Sequence, residues 1–201
     1  MGVMTESWDD RYTAQAPPPW DIGRPQPAFT RLADAGLLAG RVLDAGCGTG
    51  EHTLLAAAHG ADATGVDAAP TAIERARAKA AERGLSARFE VADVLELGRL
   101  GETFDTIIDS GVFHVFSDAD RPRYVGSLAG VLRDGGMCYL MCFSDRQPGE
   151  WGPRRVSQDE LRAAFSDGWQ IVSIEPDVFD INPIEDSAIV QIWRATIRRD
   201  R

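Results

Sequence analysis

Residues 41–52, RVLDAGCGTGEH, place three glycines within five positions directly behind a short apolar run. The run 41–45 reads as a buried strand, and GEHTLLAAAHG behind it as a helix closed by Gly60. A strand that turns through glycines into a helix lets backbone approach a bound group closely, most often a nucleotide. This unit confines the chain to folds in which strands and helices alternate.

The remainder obeys the same alternation. Strands are predicted at 62–67, 87–93, 104–109 and 137–143, with a helix over 69–84 between the first two. Pro70 suits the first turn of that helix and Gly84 its C-terminal cap. Tyr124, Leu128, Val131 and Leu132 fall on one helical stripe that stops at RDGG. Ser157 with Glu160 forms a capping box for a further helix. The segments 169–175 and 188–197 follow with no helix between them, so they pair antiparallel. The fold class is therefore α/β: an open, Rossmann-like sheet with helices on both faces and a ligand site beyond the carboxyl ends of the strands. Residues 1–26, with proline-rich APPPW and GRPQP, form a helix and connector ahead of a single domain over 27–201.

The turn itself discriminates between nucleotides. In a pyrophosphate-binding G-x-G-x-x-G, Glu51 would occupy the third glycine's place and put a carboxylate in the helix's first turn. Asp44 adds a second carboxylate two residues before Gly46. Such a turn suits a ligand with cationic groups and no phosphate, and S-adenosylmethionine has both an ammonium and a sulfonium.

LDAGCGTG resembles the first motif, [DE]-x-G-x-G-x-G, of class I S-adenosylmethionine-dependent methyltransferases. The resemblance spans roughly residues 40–145. It implies a seven-stranded sheet of order 3-2-1-4-5-7-6 with the last strand antiparallel. It also implies a cofactor site made of Asp44, Gly46, Cys47, Gly48 and Gly50, with S-adenosylhomocysteine as product. Asp67 ends the second strand 23 residues after Asp44, near the ~20-residue offset of a ribose-binding acid, with Ala68 beside it. Asp93 and Val94 match the family's adenine position, and Asp109 and Ser110 lie where the family lines methyl donor and acceptor. Without the family, Asp67 and Asp93 read equally well as strand-end turns, and Cys47 as a small packing residue.

The N-terminal segment WDDRY…PPPWDIGRPQP bears on the acceptor. Trp8 and Tyr12 are four residues apart and share a helical face, and Trp20 follows the prolines. The arrangement is similar to the N-terminus of thiopurine and halide/thiol methyltransferases, with Tyr12 in place of a second tryptophan and one more residue before Trp20. It is closer to actinobacterial small-molecule N-methyltransferases that share PWDIGRPQP and the FHVF-like stretch. Aromatic rings beside a sulfonium gain ~0.5–2 kcal/mol. The alternative is a helix stapled to the core by Trp8 and Tyr12, with Trp20 as a packing anchor. The implied function is methyl transfer to nitrogen or sulfur of a small aromatic heterocycle. Trp20, Phe113, His114, Phe116 and Trp151 are the candidate acceptor-binding residues, and the three phenylalanine and tryptophan side chains after residue 110 read equally well as core. His114 is a candidate base, which an oxygen acceptor would need, or a structural hydrogen-bonding group. A cofactor-binding module without turnover is a further alternative.

Composition narrows the partners. Thirty-one acidic against 21 basic residues give a net charge of −10, which repels nucleic acid and anionic lipid headgroups. The first residues carry acids and no apolar core of a signal peptide, and no apolar run reaches membrane-spanning length. Cys47, Cys138 and Cys142 show no disulfide spacing, which suits a cytoplasmic protein, and the three histidines show no metal-ligand spacing.

Overall fold

Strands with no polar face have to be covered on both sides. Ile107, Cys138, Leu140 and Cys142 are buried on one face, while Ile108, Tyr139, Met141 and Phe143 are buried on the other. The computed structural model describes residues 7–184 and 187–200, and it resolves this demand with a seven-stranded sheet between helical layers. Residues 1–6, which open the N-terminal segment and carry Glu6, lie outside the described residues.

In chain order the elements are α1 (Trp8–Thr13), α2 (Pro27–Asp34), β1 (Arg41–Ala45), α3 (Glu51–Ala58), β2 (Asp62–Asp67), α4 (Pro70–Arg83), β3 (Arg88–Val91), β4 (Phe104–Ser110), α5 (Arg121–Val131), β5 (Leu132–Phe143), α6 (Gln158–Ala164), β6 (Trp169–Ile184) and β7 (Ser187–Arg199). Short 3-10 helices lie at Val94–Leu100 and Phe113–Val115. The strand order is β3-β2-β1-β4-β5-β7-β6, and β7 runs antiparallel to both its neighbours. The expected order and class are both found.

One core joins α5, α6 and the first 3-10 helix to the sheet through Leu97, Tyr124, Leu128, Leu161 and Phe165. Another joins α2 to the opposite face through Phe29, Leu32 and Leu38. Strand order reverses between β1 and β4, so their carboxyl ends part, with Asp67 and Ser110 on either side of the glycine turn.

Three elements depart from expectation. Helix α2 is additional, started by Pro27 at its first turn. Strand β5 begins at Leu132 and not at Met137, because RDGG is an irregularity inside the strand: register shifts there and Gly135 has a φ of +76°. Strand β6 continues to Ile184, nine residues past the expected end at 175. Pro176 and Pro183 disguise it, yet an edge strand tolerates both.

Gly50 is where the turn and the core meet. It caps α3 with a φ of +87°, and a Cβ there would stand 2.8 Å from Ala76 Cβ and from the Phe89 ring. Gly50→Ala is expected to destabilise by about 2–5 kcal/mol, the sum of left-handed strain and overpacking, read as a lower urea midpoint.

Candidate functional site

The glycine turn is pinned to the neighbouring strand by its own amides. Gly46 and Cys47 both donate to the Val66 carbonyl at 2.8 Å. The Gly48 amide donates to Asp67 Oδ2 at 2.8 Å, and the Ala69 amide to Oδ1 at 2.9 Å. Burial pushes the Asp67 carboxyl up, against the pull of the Ala69, Gly48 and Ala68 amides. Each oxygen retains a further lone pair, so the group still accepts two hydroxyls. Asp93 is exposed after β3, where Oδ1 takes the Leu95 amide at 2.9 Å and caps the 3-10 helix that Val94 begins. Its Oδ2 has no partner among the described residues.

Asp44 is sealed beneath the turn. Oδ2 accepts from the Thr53 hydroxyl at 2.7 Å, while Oδ1 is buried without a partner. Burial pushes this carboxyl up to about 7. An orphaned buried acceptor costs ~1–3 kcal/mol, which a cationic donor would recover. Glu51 behaves otherwise than expected. Its carboxylate turns to α4 and pairs with Lys79 at 2.7 Å and Arg83 at 2.8 Å. Burial raises its pKa, but the two cations more than offset this and hold it below the usual carboxylate value. Glu51 therefore leaves no bare charge at the head of α3, and the case for a cationic ligand rests on Asp44 and Asp67.

Beyond β4, Asp109 shapes a second turn. Its oxygens accept from the Val112 amide at 2.7 Å, the Phe113 amide at 3.1 Å and the Tyr124 hydroxyl at 2.9 Å. Its side chain is thus engaged by protein and fully buried, unlike Ser110, which is half-buried at the strand end. The turn sends Phe113 backward into the core against Phe165 and Arg121, and Phe116 against Tyr124. His114 goes the other way. Its Nδ1 accepts the Phe143 amide at 2.9 Å, and its ring meets the Phe143 ring edge-on at 4.9 Å. Trp151 meets Phe143 edge-on at 6.1 Å. Of the expected acceptor residues, His114 and Trp151 share one wall, whereas Phe113 and Phe116 lie behind it.

Arg155 organises that wall and carries no motif that would reveal it. Its guanidinium donates to five carbonyls of one loop, those of Gln147, Pro148, Gly149, Trp151 and Pro153, and stacks over Phe143 at 5.3 Å. Only the folded loop brings those carbonyls together.

The N-terminal segment closes over the glycine turn. Asp9 accepts from the Thr71 amide at 2.8 Å, supplying α4 with the cap that Ala69 lacks, and Arg75 holds the Tyr12 carbonyl at 2.6 Å. Tyr12 is buried against Ala69 and Ala72, with its hydroxyl 2.8 Å from where a Gly48 Cβ would stand. The Trp20 indole donates to that hydroxyl at 3.0 Å, and Trp8 meets Trp20 edge-on at 6.2 Å. Trp8 and Trp20 stay 39% and 45% exposed, so only Tyr12 is a staple. The extended part of β6 fastens the strap: Asn182 donates to the Pro18, Pro19 and Asp21 carbonyls, and Gln26 exchanges two hydrogen bonds with the Asp180 backbone. Arg24 pairs with Asp180 at 2.8 Å.

A cavity of about 600 Å³ between α5 and α6 shares only Arg121 with this region. Among the described residues no cluster of three or more His, Cys, Asp or Glu is placed to hold a metal, and no helix is long and apolar enough to cross a membrane.

Burial also lifts Asp109 to about 7. Asp44 and Asp109 thus keep protons in the folded state to near pH 7, whereas an unfolded chain releases them near 3.9. Their contribution to stability is full below about pH 4 and is lost as pH rises through 7. The thermal midpoint of the ligand-free protein is expected to fall between about pH 5 and 8. Asp44→Asn should flatten that fall by about 2 °C or more, the scale of ~1 kcal/mol in a domain of this size.

Comparison with known proteins identifies the family. The family model "Methyltransferase domain" matches residues 42–136. The 2-heptyl-1-hydroxyquinolin-4(1H)-one methyltransferase of Mycobacteroides abscessus is 39% identical, over 86% of this chain and 82% of that protein. A probable thiol methyltransferase of Arabidopsis thaliana is 27% identical, over 93% and 84%. A solved structure concerned with conversion of a disulfide bond into a thioacetal group during echinomycin biosynthesis superimposes with a TM-score of 0.86 at 40% identity, over 96% of this chain and 91% of that one. The chain belongs to the S-adenosylmethionine-dependent methyltransferases.

Proposed function

We propose that this enzyme transfers the methyl group of S-adenosylmethionine to a nitrogen or sulfur of a small, flat heteroaromatic molecule. The observation that carries the cofactor side is Asp44 Oδ1, a buried carboxylate oxygen with no protein partner beneath a glycine turn. When bound, the cofactor supplies a methyl group activated on a cationic sulfur. Asp44 offsets its ammonium, Asp67 accepts the ribose hydroxyls, and Asp93 with the Val94 amide meets the adenine. Ala68, Gly46, Cys47, Gly48 and Gly50 line its path, and Ser110 faces it from β4. Asp109 acts one step removed, by holding the turn that presents His114.

Residues 1–26 serve as the lid of the domain over 27–201. Tyr12 closes on the turn, and Trp8 and Trp20 offer ring faces and edges that exclude water from a reacting cation. The acceptor side is supported by the wall of His114, Phe143 and Trp151. The Mycobacteroides relative is named for a quinolone, a flat bicycle with a ring nitrogen and oxygens, and the Arabidopsis relative for thiols. Soft nitrogen and sulfur nucleophiles need no general base, and alignment of nucleophile, methyl carbon and sulfur supplies up to ~7–11 kcal/mol. The acidic surface and closed lid suit a small molecule in the cytoplasm rather than nucleic acid or membrane.

Titration calorimetry is expected to show S-adenosylhomocysteine binding, weakened about tenfold or more by Asp67→Ala, the loss of at least one charge-assisted hydrogen bond. Absence of binding at millimolar ligand sinks the reading. Incubation with a panel of thiols, azoles and phenols, read by mass spectrometry, should yield S- or N-methyl products. Methylated phenols alone would move the assignment to oxygen, and binding without any product to a non-catalytic module.

A further inference from the structure

His114 is the polar group of the acceptor wall, and its hydrogen bonding decides what it can do there. The imidazole is 7% exposed, between the turn after β4 and the start of the loop after β5. Nδ1 accepts the Phe143 amide at 2.9 Å, so that nitrogen carries the lone pair. A neutral imidazole then bears its hydrogen on Nε2. The ring is neutral at any working pH: burial first, then the charges of Arg121 and Arg155, push its pKa down to about 3. The opposite edge, Cε1 and Nε2, passes over Gly111, 3.3 and 3.4 Å from where a Cβ would stand, with the Phe179 ring alongside. Gly111 directly follows the β4 end, so this edge lies beside the mouth of the crevice. Nε2 has no protein partner among the described residues, and it is not among their sealed, unpartnered polar atoms.

From this geometry we infer that His114 binds the acceptor as a fixed Nε2–H donor, and that the acceptor carries an oxygen beside the methylated atom: a carbonyl, an N-oxide or a deprotonated hydroxyl. The inference rests on the methyltransferase reading above and names the substrate class of that site. A ring held in this tautomer has no lone pair to offer a substrate proton, so it does not serve as a general base. It favours instead an acceptor that arrives already anionic, since a donor aimed at the oxygen stabilises that form. The methyl transfer is then balanced without a proton: the acceptor's electron pair forms the new bond to carbon, and the carbon–sulfur bond breaks to neutralise the sulfonium. Arg155 contributes by clamping the loop of Trp151 against Phe143, whose backbone amide sets the tautomer.

Two variants separate donor from scaffold. In His114→Asn the side-chain oxygen replaces Nδ1 as acceptor for Phe143, and the Nε2 donor is gone. In His114→Gln the amide nitrogen reaches the place of Nε2, and the Nδ1 acceptor is gone. Calorimetry of the enzyme saturated with S-adenosylhomocysteine would compare 2-mercaptopyridine N-oxide with thiophenol, at a pH where both are thiolates. The intact enzyme is expected to prefer the N-oxide by about tenfold or more, the scale of one charge-assisted hydrogen bond. His114→Asn should lose that preference and His114→Gln should keep most of it. Equal affinity in the intact enzyme, binding of neither probe, survival of the preference in His114→Asn, or its loss in both variants with normal thermal midpoints would each overturn the assignment. The intact-enzyme comparison decides alone if a variant fails to fold. Failure of S-adenosylhomocysteine to bind is a different result, and counts against the underlying methyltransferase reading.

Discussion

Carboxylates buried at the carboxyl ends of adjacent parallel strands are the constraint to which the rest of this structure answers. Asp44, Asp67 and Asp109 end or nearly end β1, β2 and β4, and burial raises the pKa of each. Charge in that place is unfavourable for the fold alone. The apolar layers on both sheet faces provide the stability that offsets it. The three acids then divide the work. Asp109 meets its needs within the protein, Asp67 does so with acceptor capacity to spare, and Asp44 keeps an oxygen unmet. That gradient runs from an acid whose hydrogen bonds the protein supplies in full to one with a buried oxygen left over.

The side of the crevice beyond β4 is organised by relay. Asp109 gathers the amides of Val112 and Phe113, which fixes where His114 emerges. The Phe143 amide then selects the tautomer, and Arg155 braces the loop behind Phe143. None of these contacts is strong alone, yet each limits the freedom of the next. A methyl transfer that depends on alignment benefits from such stiffness.

The N-terminal strap is joined to the far edge of the sheet. Asn182 and Gln26 tie the proline strap to the extended half of β6, while Asp9 and Arg75 tie α1 to α4. The edge strand β6 gains cover for part of its exposed backbone, and the strap gains an anchor that proline cannot supply through its own amide. One set of hydrogen bonds thus serves both the sheet and the entrance.

Much of this was legible in the residues. Strand and helix periodicity define the class, and the glycines at Gly46, Gly48 and Gly50 with Asp67 at its offset from Asp44 carry the family resemblance that implies the strand order, because these are local signals whose spacing survives in one dimension. The long half of β6 was masked by Pro176 and Pro183, since tolerance of proline depends on being an edge, which is a property of the sheet. Glu51 looked like a bare charge until Lys79 and Arg83, a helix away, turned it inward. Phe113 and His114 are adjacent letters sent to opposite sides of one turn, and the role of Arg155 exists only where five carbonyls converge. Which side chains face the crevice, and in which protonation state, follows from burial and from partners distant in the chain, and tertiary packing alone supplies both.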